Sequence, residues 1–202
     1  MLTLTNAIVL ITVLTSFGAW QNAELFDKFK LNSYAVYHKK EFWRLITCTL
    51  IHADYIHLAF NMFSFYSIGN YVEKVFVDIF PDLGKLYYLG LYVLGAVFSC
   101  FSDIYKYKNN PGYNSIGASG AVSAVIFSFV VIAPMAEINI FFIPMKAVIY
   151  GAFFLAIEYY LSKKSMGNVN HGAHFEGALF GIIYTILCKP DLISHFFSQI
   201  MG

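Results

Sequence analysis

Gly117-Ala118-Ser119-Gly120-Ala121-Val122-Ser123-Ala124 opens an apolar run that continues to Ile132. A polar loop, Lys106 to Asn114, precedes it, so the serine stands where a loop turns into a hydrophobic helix. Gly117 and Gly120 let the backbone pass close to a neighbour or a substrate. The first turn of a helix carries unpaired N–H groups and the positive end of the helix dipole, both of which favour a developing negative charge. Ser119 at that place is a candidate nucleophile for a reaction that passes through an oxyanion. The same residues have a second reading, because Gly, Ala and Ser clusters in membrane helices also mark close helix packing.

Composition favours a membrane setting. Of 202 residues, 58% are hydrophobic, 19% aromatic and only 12% charged. A chain this apolar cannot cover itself with polar surface in water, and it reads as an all-α, polytopic bundle of six transmembrane helices. The length suits one such membrane domain over residues 1–202, with no separate soluble domain. The formal net charge of +1 gives no basis for a nucleic-acid partner. Cys48, Cys100 and Cys188 are odd in number and lie in apolar contexts, which predicts free thiols rather than a disulfide framework or a zinc site. There is no internal repeat and no low-complexity tract.

The expected spans run from Thr5 to Trp20, within Leu50–Val77, from Leu86 to Phe101, from Ser119 to Ile132, from Ala147 to Leu161 and from Gly172 to Leu187. No basic residue precedes the first, which counts against a signal peptide. Several are nearer fifteen than the ~20 residues that cross a full hydrocarbon core, so a thinned bilayer or helices that start below the surface are implied. The connection from Gln21 to Thr47 mixes charges with Phe26, Phe29, Tyr34, Tyr37, Phe42 and Trp43. That mixture predicts a structured loop on the membrane surface. Pro134 and Pro144 bracket a short connection, and Glu158 is expected near the membrane interface.

Polar groups inside spans are costly and are functional candidates by default. Besides Ser119, two clusters stand out: His52, His57 and Asn61 at the start of the second span, and His171, His174 and Glu176 at the start of the sixth. His57 and Asn61 are four apart and share a helix face. Both donate hydrogen bonds, so together they can hold an oxyanion, or they can bond across helices to hold the bundle. Ala173, Gly177 and Gly181 form a small-residue stripe, and His174 lies about 100° or less from it. If that stripe packs on Gly120, Ala121, Ser123 and Ala124, His174 can reach Ser119 and form a serine–histidine pair without an acidic third member. Glu176, about 200° round the helix from His174, should not orient it. His171 and His174 are three apart, but a metal needs a third ligand from His52, His57 or Glu176 and no HExxH pattern exists, so no metal is expected. His38 and His195 are expected at the solvent or the interface.

Taken together these residues resemble the rhomboid family of intramembrane serine proteases. Trp43-Arg44 looks like the family's first-loop motif, His57-Leu58-Ala59-Phe60-Asn61 is similar to its HxxxN, Gly117-Ala118-Ser119-Gly120 matches GxSG, and Ala173-His174 through Gly181 matches AHxxGxxxG. The resemblance implies a six-helix fold with a short central serine-bearing helix. It implies Ser119 as nucleophile, His174 as general base, and an oxyanion held by the Ser119 N–H, His57 and Asn61. Trp43, Arg44, Gly117, Gly120, Gly177 and Gly181 would be structural. The partners would be the lipid bilayer and a transmembrane protein substrate, admitted between the second and fifth spans, with no cofactor.

Two features depart from the family pattern. Ser123 stands where the family usually has an aromatic residue against the catalytic histidine, with Phe98, Phe101 or another ring as a substitute. The lysines and arginine of the first loop, with Lys106, Lys108, Lys163 and Lys164, would put that side in the cytoplasm. Bacterial six-span members instead keep both termini there, and the family pattern is the one adopted, in a bacterial inner membrane. A rhomboid-like protein that binds membrane helices with little or no catalysis is the alternative. A transporter is disfavoured, since the spans show no paired broken segments.

Overall fold

The computed structural model describes residues 3–140, 143–164 and 169–202. The first apolar segment forms α1 (Leu4–Trp20), opened by Thr3, whose hydroxyl accepts the Asn6 N–H. The long connection is ordered, as its aromatic content predicts. It contains α2 (Ala23–Phe29), β1 (Leu31–Asn32), α3 (Ser33–Lys39), α4 (Arg44–Thr47) and a 3₁₀ turn at Cys48–Leu50. Asparagines cap two of these pieces: Asn22 accepts from Leu25 N–H and Asn32 from Ala35 N–H, each bond satisfying a donor that the first helical turn leaves free.

Five further long helices occupy the remaining apolar segments, joined by shorter elements. These are α5 (Tyr55–Ile79), α6 (Gly84–Phe98), α7 (Phe101–Tyr107), β2 (Asn114–Ser115), α8 (Ser119–Ile132), β3 (Glu137–Ile140), β4 (Ile143–Lys146), α9 (Ala147–Lys164), α10 (His171–Cys188) and α11 (Leu192–Met201). The chain is predominantly helical, and the all-α expectation needs one correction. β1 pairs antiparallel with β2, and β3 with β4 in the register Glu137↔Lys146. β3 lies between Pro134 and Pro144, where Glu137-Ile138-Asn139-Ile140 alternates polar and β-branched residues with a strand's period of two, and β4 contains Pro144 itself. α5 begins at Tyr55 rather than Leu50, because Asp54 caps it by accepting the His57 N–H at 2.8 Å. His52 therefore precedes the helix.

α8 is the axis of the bundle. Every residue from Gly120 to Ile132 is buried, against α5, α6, α9, α10 and α11. Its closest neighbour is α10, and the glycine stripe explains why. A Cβ on Gly177 would run into the Gly120 carbonyl oxygen, and one on Gly181 into the Ala124 carbonyl oxygen, so the two backbones touch.

Many large apolar side chains are exposed, and a minority of polar residues is buried within a mainly apolar core. Leu14 and Phe17 on α1, Ile56 and Phe63 on α5, Leu86 on α6, Phe153 on α9 and Leu187 on α10 are exposed, while Thr5, Thr12, Ser16, His52, Asn61, Glu73, Ser128, Glu158 and Thr185 are buried. An apolar exterior of that extent marks a membrane or partner surface. Among the described residues, one helical stretch, Gly84–Tyr107, is long and apolar enough by itself to cross a membrane. α10 and α11 together are a second such stretch, bent by 111°.

Candidate active site

The polypeptide approaching Ser119 is held by backbone and side-chain bonds. Gly117 N–H donates to the Cys48 carbonyl at 2.9 Å, and Ala118 N–H donates to His52 Nε2 at 3.3 Å. The Ser16 hydroxyl donates to the Leu50 carbonyl and lies 3.1 Å from His52 Nδ1. With its own proton used on Leu50, Ser16 accepts from His52 Nδ1–H, which leaves Nε2 as the acceptor that Ala118 requires. His52 is thus a structural brace for the loop, fully buried, and not a member of the site.

Gly117 has φ 111°, a left-handed value that favours glycine. A Cβ there would also lie 2.8 Å from His57 Nε2, so the His57 ring rests directly on the turn that presents Ser119. A Cβ on Gly120 would overlap the Ser99 side chain. Both glycines of the motif are therefore required by close approach.

Ser119 is the first residue of α8, and it lines a cavity of about 1330 Å³ together with His57, Asn61, Ser123 and His174. The structure brings all four expected chemical groups to one cavity from three elements: α5, α8 and α10. Among the described residues Ser119 Oγ makes no hydrogen bond, to His174 or to another group. Asn61 Nδ2 donates one of its two protons to the His57 carbonyl at 3.0 Å, leaving the other for the cavity.

His174 shows what the sequence reading missed. Its Nδ1 lies 3.1 Å from Glu158 Oε1, and His171 Nδ1 lies 2.6 Å from Glu158 Oε2. Glu158, expected at the interface, is only 8% exposed. Helical spacing links His171 to His174 but contains no signal for a carboxylate sixteen residues earlier on another helix. The ligand atoms of Glu158, His171 and His174 all lie within 4.8 Å of one another, so these three could hold a metal ion. The third ligand sought in His52, His57 or Glu176 is none of them.

The ring beside His174 is also not the expected one. Phe98 stacks on Phe180 and meets Phe101 edge-on. Phe154 of α9 lies 6.4 Å from the His174 ring, inclined at 32°. Glu176 faces away from His174, as its helical angle predicts, and accepts the Ser102 N–H at 3.3 Å.

Of the two first-loop motif residues, Arg44 acts as a brace. Arg44 pairs with Glu41 at 2.5 Å and donates through Nη1 to the carbonyls of Asp27, Lys28 and Lys30, tying α4 to the end of α2. Trp43 is 47% exposed. At the cavity rim, Asp103 Oδ2 accepts from Tyr113 at 2.7 Å and from Asn170 at 2.5 Å. Partial burial and the Asp103 carboxyl push the Tyr113 phenol up, so it remains the donor. Asn170 Oδ1 caps α10 by accepting the Ala173 N–H. One network thus joins the loop before Ser119 to the start of the His174 helix. Cys48, Cys100 and Cys188 are free thiols.

Residues 39–190 match the Rhomboid domain, and the chain belongs to the rhomboid family, whose members are integral membrane proteins. It is 27% identical to RHOMBOID-like protein 12, mitochondrial, of Arabidopsis thaliana, over 87% of this chain and 56% of the relative. It is 32% identical to RHOMBOID-like protein 5 of the same plant, over 75% of this chain and 46% of the relative. With Rhomboid protease GlpG of Haemophilus influenzae it shares 28% identity over 78% of this chain and 77% of the relative. The chain spans about half the length of the two plant relatives.

Proposed function

We propose that this protein is an intramembrane serine protease that cleaves transmembrane segments of other proteins. It would do so as a single membrane domain over residues 1–202 that crosses the bilayer six times. Ser119 Oγ would attack the scissile carbonyl while His174 Nε2 takes its proton. The Ser119 N–H, His57 and Asn61 would hold the resulting oxyanion. Collapse of that intermediate breaks the C–N bond, and His174 returns the proton to the leaving amine. Water then hydrolyses the acyl-serine by the same proton path. No cofactor and no metal takes part.

One observation carries the reading: a serine at the N-terminus of the most buried helix and a histidine on the helix in backbone contact with it share one cavity, lined by polar and apolar groups, within a bundle that exposes large apolar side chains. Hydrolysis needs water and an extended peptide, and neither exists in hydrocarbon, so a cavity partly lined by polar groups is the feature the reaction requires. α5 and α9 each pack on α8 but share no extended interface among the described residues, which supports substrate entry between them. The family pattern supports cytoplasmic termini. A bacterial inner membrane is the proposed location, with a bacterial protease and mitochondrial proteins both among the relatives.

The absent Ser119–His174 bond favours a second reading, a rhomboid-like protein that binds membrane helices with little catalysis. Labelling by a fluorophosphonate probe separates the two. Wild-type labelling lost in both Ser119→Ala and His174→Ala, with cleavage of a model transmembrane substrate in lipid lost in parallel, is expected. Cleavage by Ser119→Ala at the wild-type rate would refute the nucleophile.

A further inference from the structure

We infer that Glu158 is the positioning residue of His174, making the reacting unit a Ser119–His174–Glu158 triad; this rests on the protease reading above. The dyad expected from the sequence leaves His174 Nδ1 without a role. In the structure that nitrogen lies 3.1 Å from Glu158 Oε1. An ionised carboxylate only accepts hydrogen bonds, so the bond places the proton of a neutral His174 on Nδ1 and leaves the Nε2 lone pair free. Nε2 is the nitrogen that must take the serine proton. The acid therefore selects the tautomer and fixes the ring plane, the role an aspartate plays in soluble serine proteases.

Three further observations support the assignment. First, a carboxylate buried in an apolar helix is costly unless its oxygens are occupied, and Glu158 meets this with two imidazoles. Second, Ser123 supplies no ring against His174, so another element must orient it. α9 supplies both substitutes from one face: Phe154 lies against the ring and Glu158, four residues on, holds Nδ1. Third, His171 occupies the second carboxylate oxygen at 2.6 Å, which limits rotation of the carboxylate.

The test is ring-nitrogen NMR on 15N-histidine protein together with steady-state cleavage of a transmembrane substrate and fluorophosphonate labelling. In the wild type, His174 should show a protonated Nδ1 and an unprotonated Nε2. Glu158→Gln should abolish that preference and lower kcat on the order of 10²-fold with KM nearly unchanged. Glu158→Asp should recover part of kcat. A wild-type His174 protonated on Nε2 overturns the inference without needing a variant that folds. So does full kcat in a folded Glu158→Gln protein. A stoichiometric metal ion in the purified wild type, lost with Glu158→Gln, overturns it by making the three residues ligands. Wild-type labelling with an unaffected Glu158→Gln refutes Glu158 alone, whereas a folded wild type that neither labels nor cleaves refutes the protease reading itself.

Discussion

Two glutamates lie buried in apolar helices of this bundle, and they are held in opposite ways. Glu73 on α5 is 4% exposed and accepts from Leu4 N–H, Thr5 N–H and the Thr5 hydroxyl, each at 2.8 Å. Thr5 is bonded in turn to the Tyr88 hydroxyl at 2.7 Å. Glu158 on α9 has two imidazole rings instead. The first carboxylate sits on the N-terminus of α1, where unpaired N–H groups and the helix dipole stabilise a negative charge. None of its partners changes protonation near neutral pH, so the contact locks α1 to α5. The partners of Glu158 are imidazoles with two ring nitrogens each, so the contact there decides which nitrogen of a neutral ring carries the proton. A buried carboxylate is thus structural or functional according to what fills its oxygens.

Separating stability from turnover would break or sharpen this contrast. The largest expected effect is Glu73→Ala, which strands two backbone donors and a hydroxyl. At roughly 1–3 kcal/mol for each buried group left unpaired, it should destabilise the protein by ~3 kcal/mol or more in reversible detergent unfolding. The kcat of the molecules that remain folded should be unchanged; a fall in kcat at constant stability would dissolve the distinction. Next are His57→Ala and Asn61→Ala, on the cavity side. Each should slow cleavage by ~10²-fold with little change in melting temperature, since each would remove an oxyanion donor. Unchanged rates in both would leave the oxyanion to the Ser119 N–H. The smallest is Tyr88→Phe, which removes one bond to Thr5. It should cost about 1 kcal/mol and leave labelling of Ser119 intact, a result that thermal melts and probe kinetics on one sample would check.

Much of the architecture was legible because the rules that produce it are local. Apolar runs mark helices, so α1, α5, α6, α8, α9 and α10 lie on the expected segments to within a few residues. The α8–α10 contact was legible too, because Gly177 and Gly181 at four-residue spacing leave a groove that a second backbone can enter. The hairpin of β3 and β4 is weakly written in the sequence, because its alternation spans only Glu137–Ile140 and Pro144, which lacks an N–H to donate, falls within β4. α11 follows Lys189-Pro190, a pair that reads as an ending, although the chain turns through 111° there and His195 returns to within 3.2 Å of the Ile132 carbonyl.

By itself the sequence determined the helix-bearing segments, the family, and the residues proposed as nucleophile and base. Each of these is written either in local periodicity or in short motifs that occur in order. Only the tertiary structure decided which groups surround His174. That is a matter of which face α9 turns toward α10, and α9 is apolar nearly all round, with no stripe to read. Phe154 rather than Phe98 or Phe101, and Glu158 rather than Glu176, follow from that single rotation. It is favoured because the one carboxylate within α9 finds two imidazole partners in the interior instead of facing hydrocarbon.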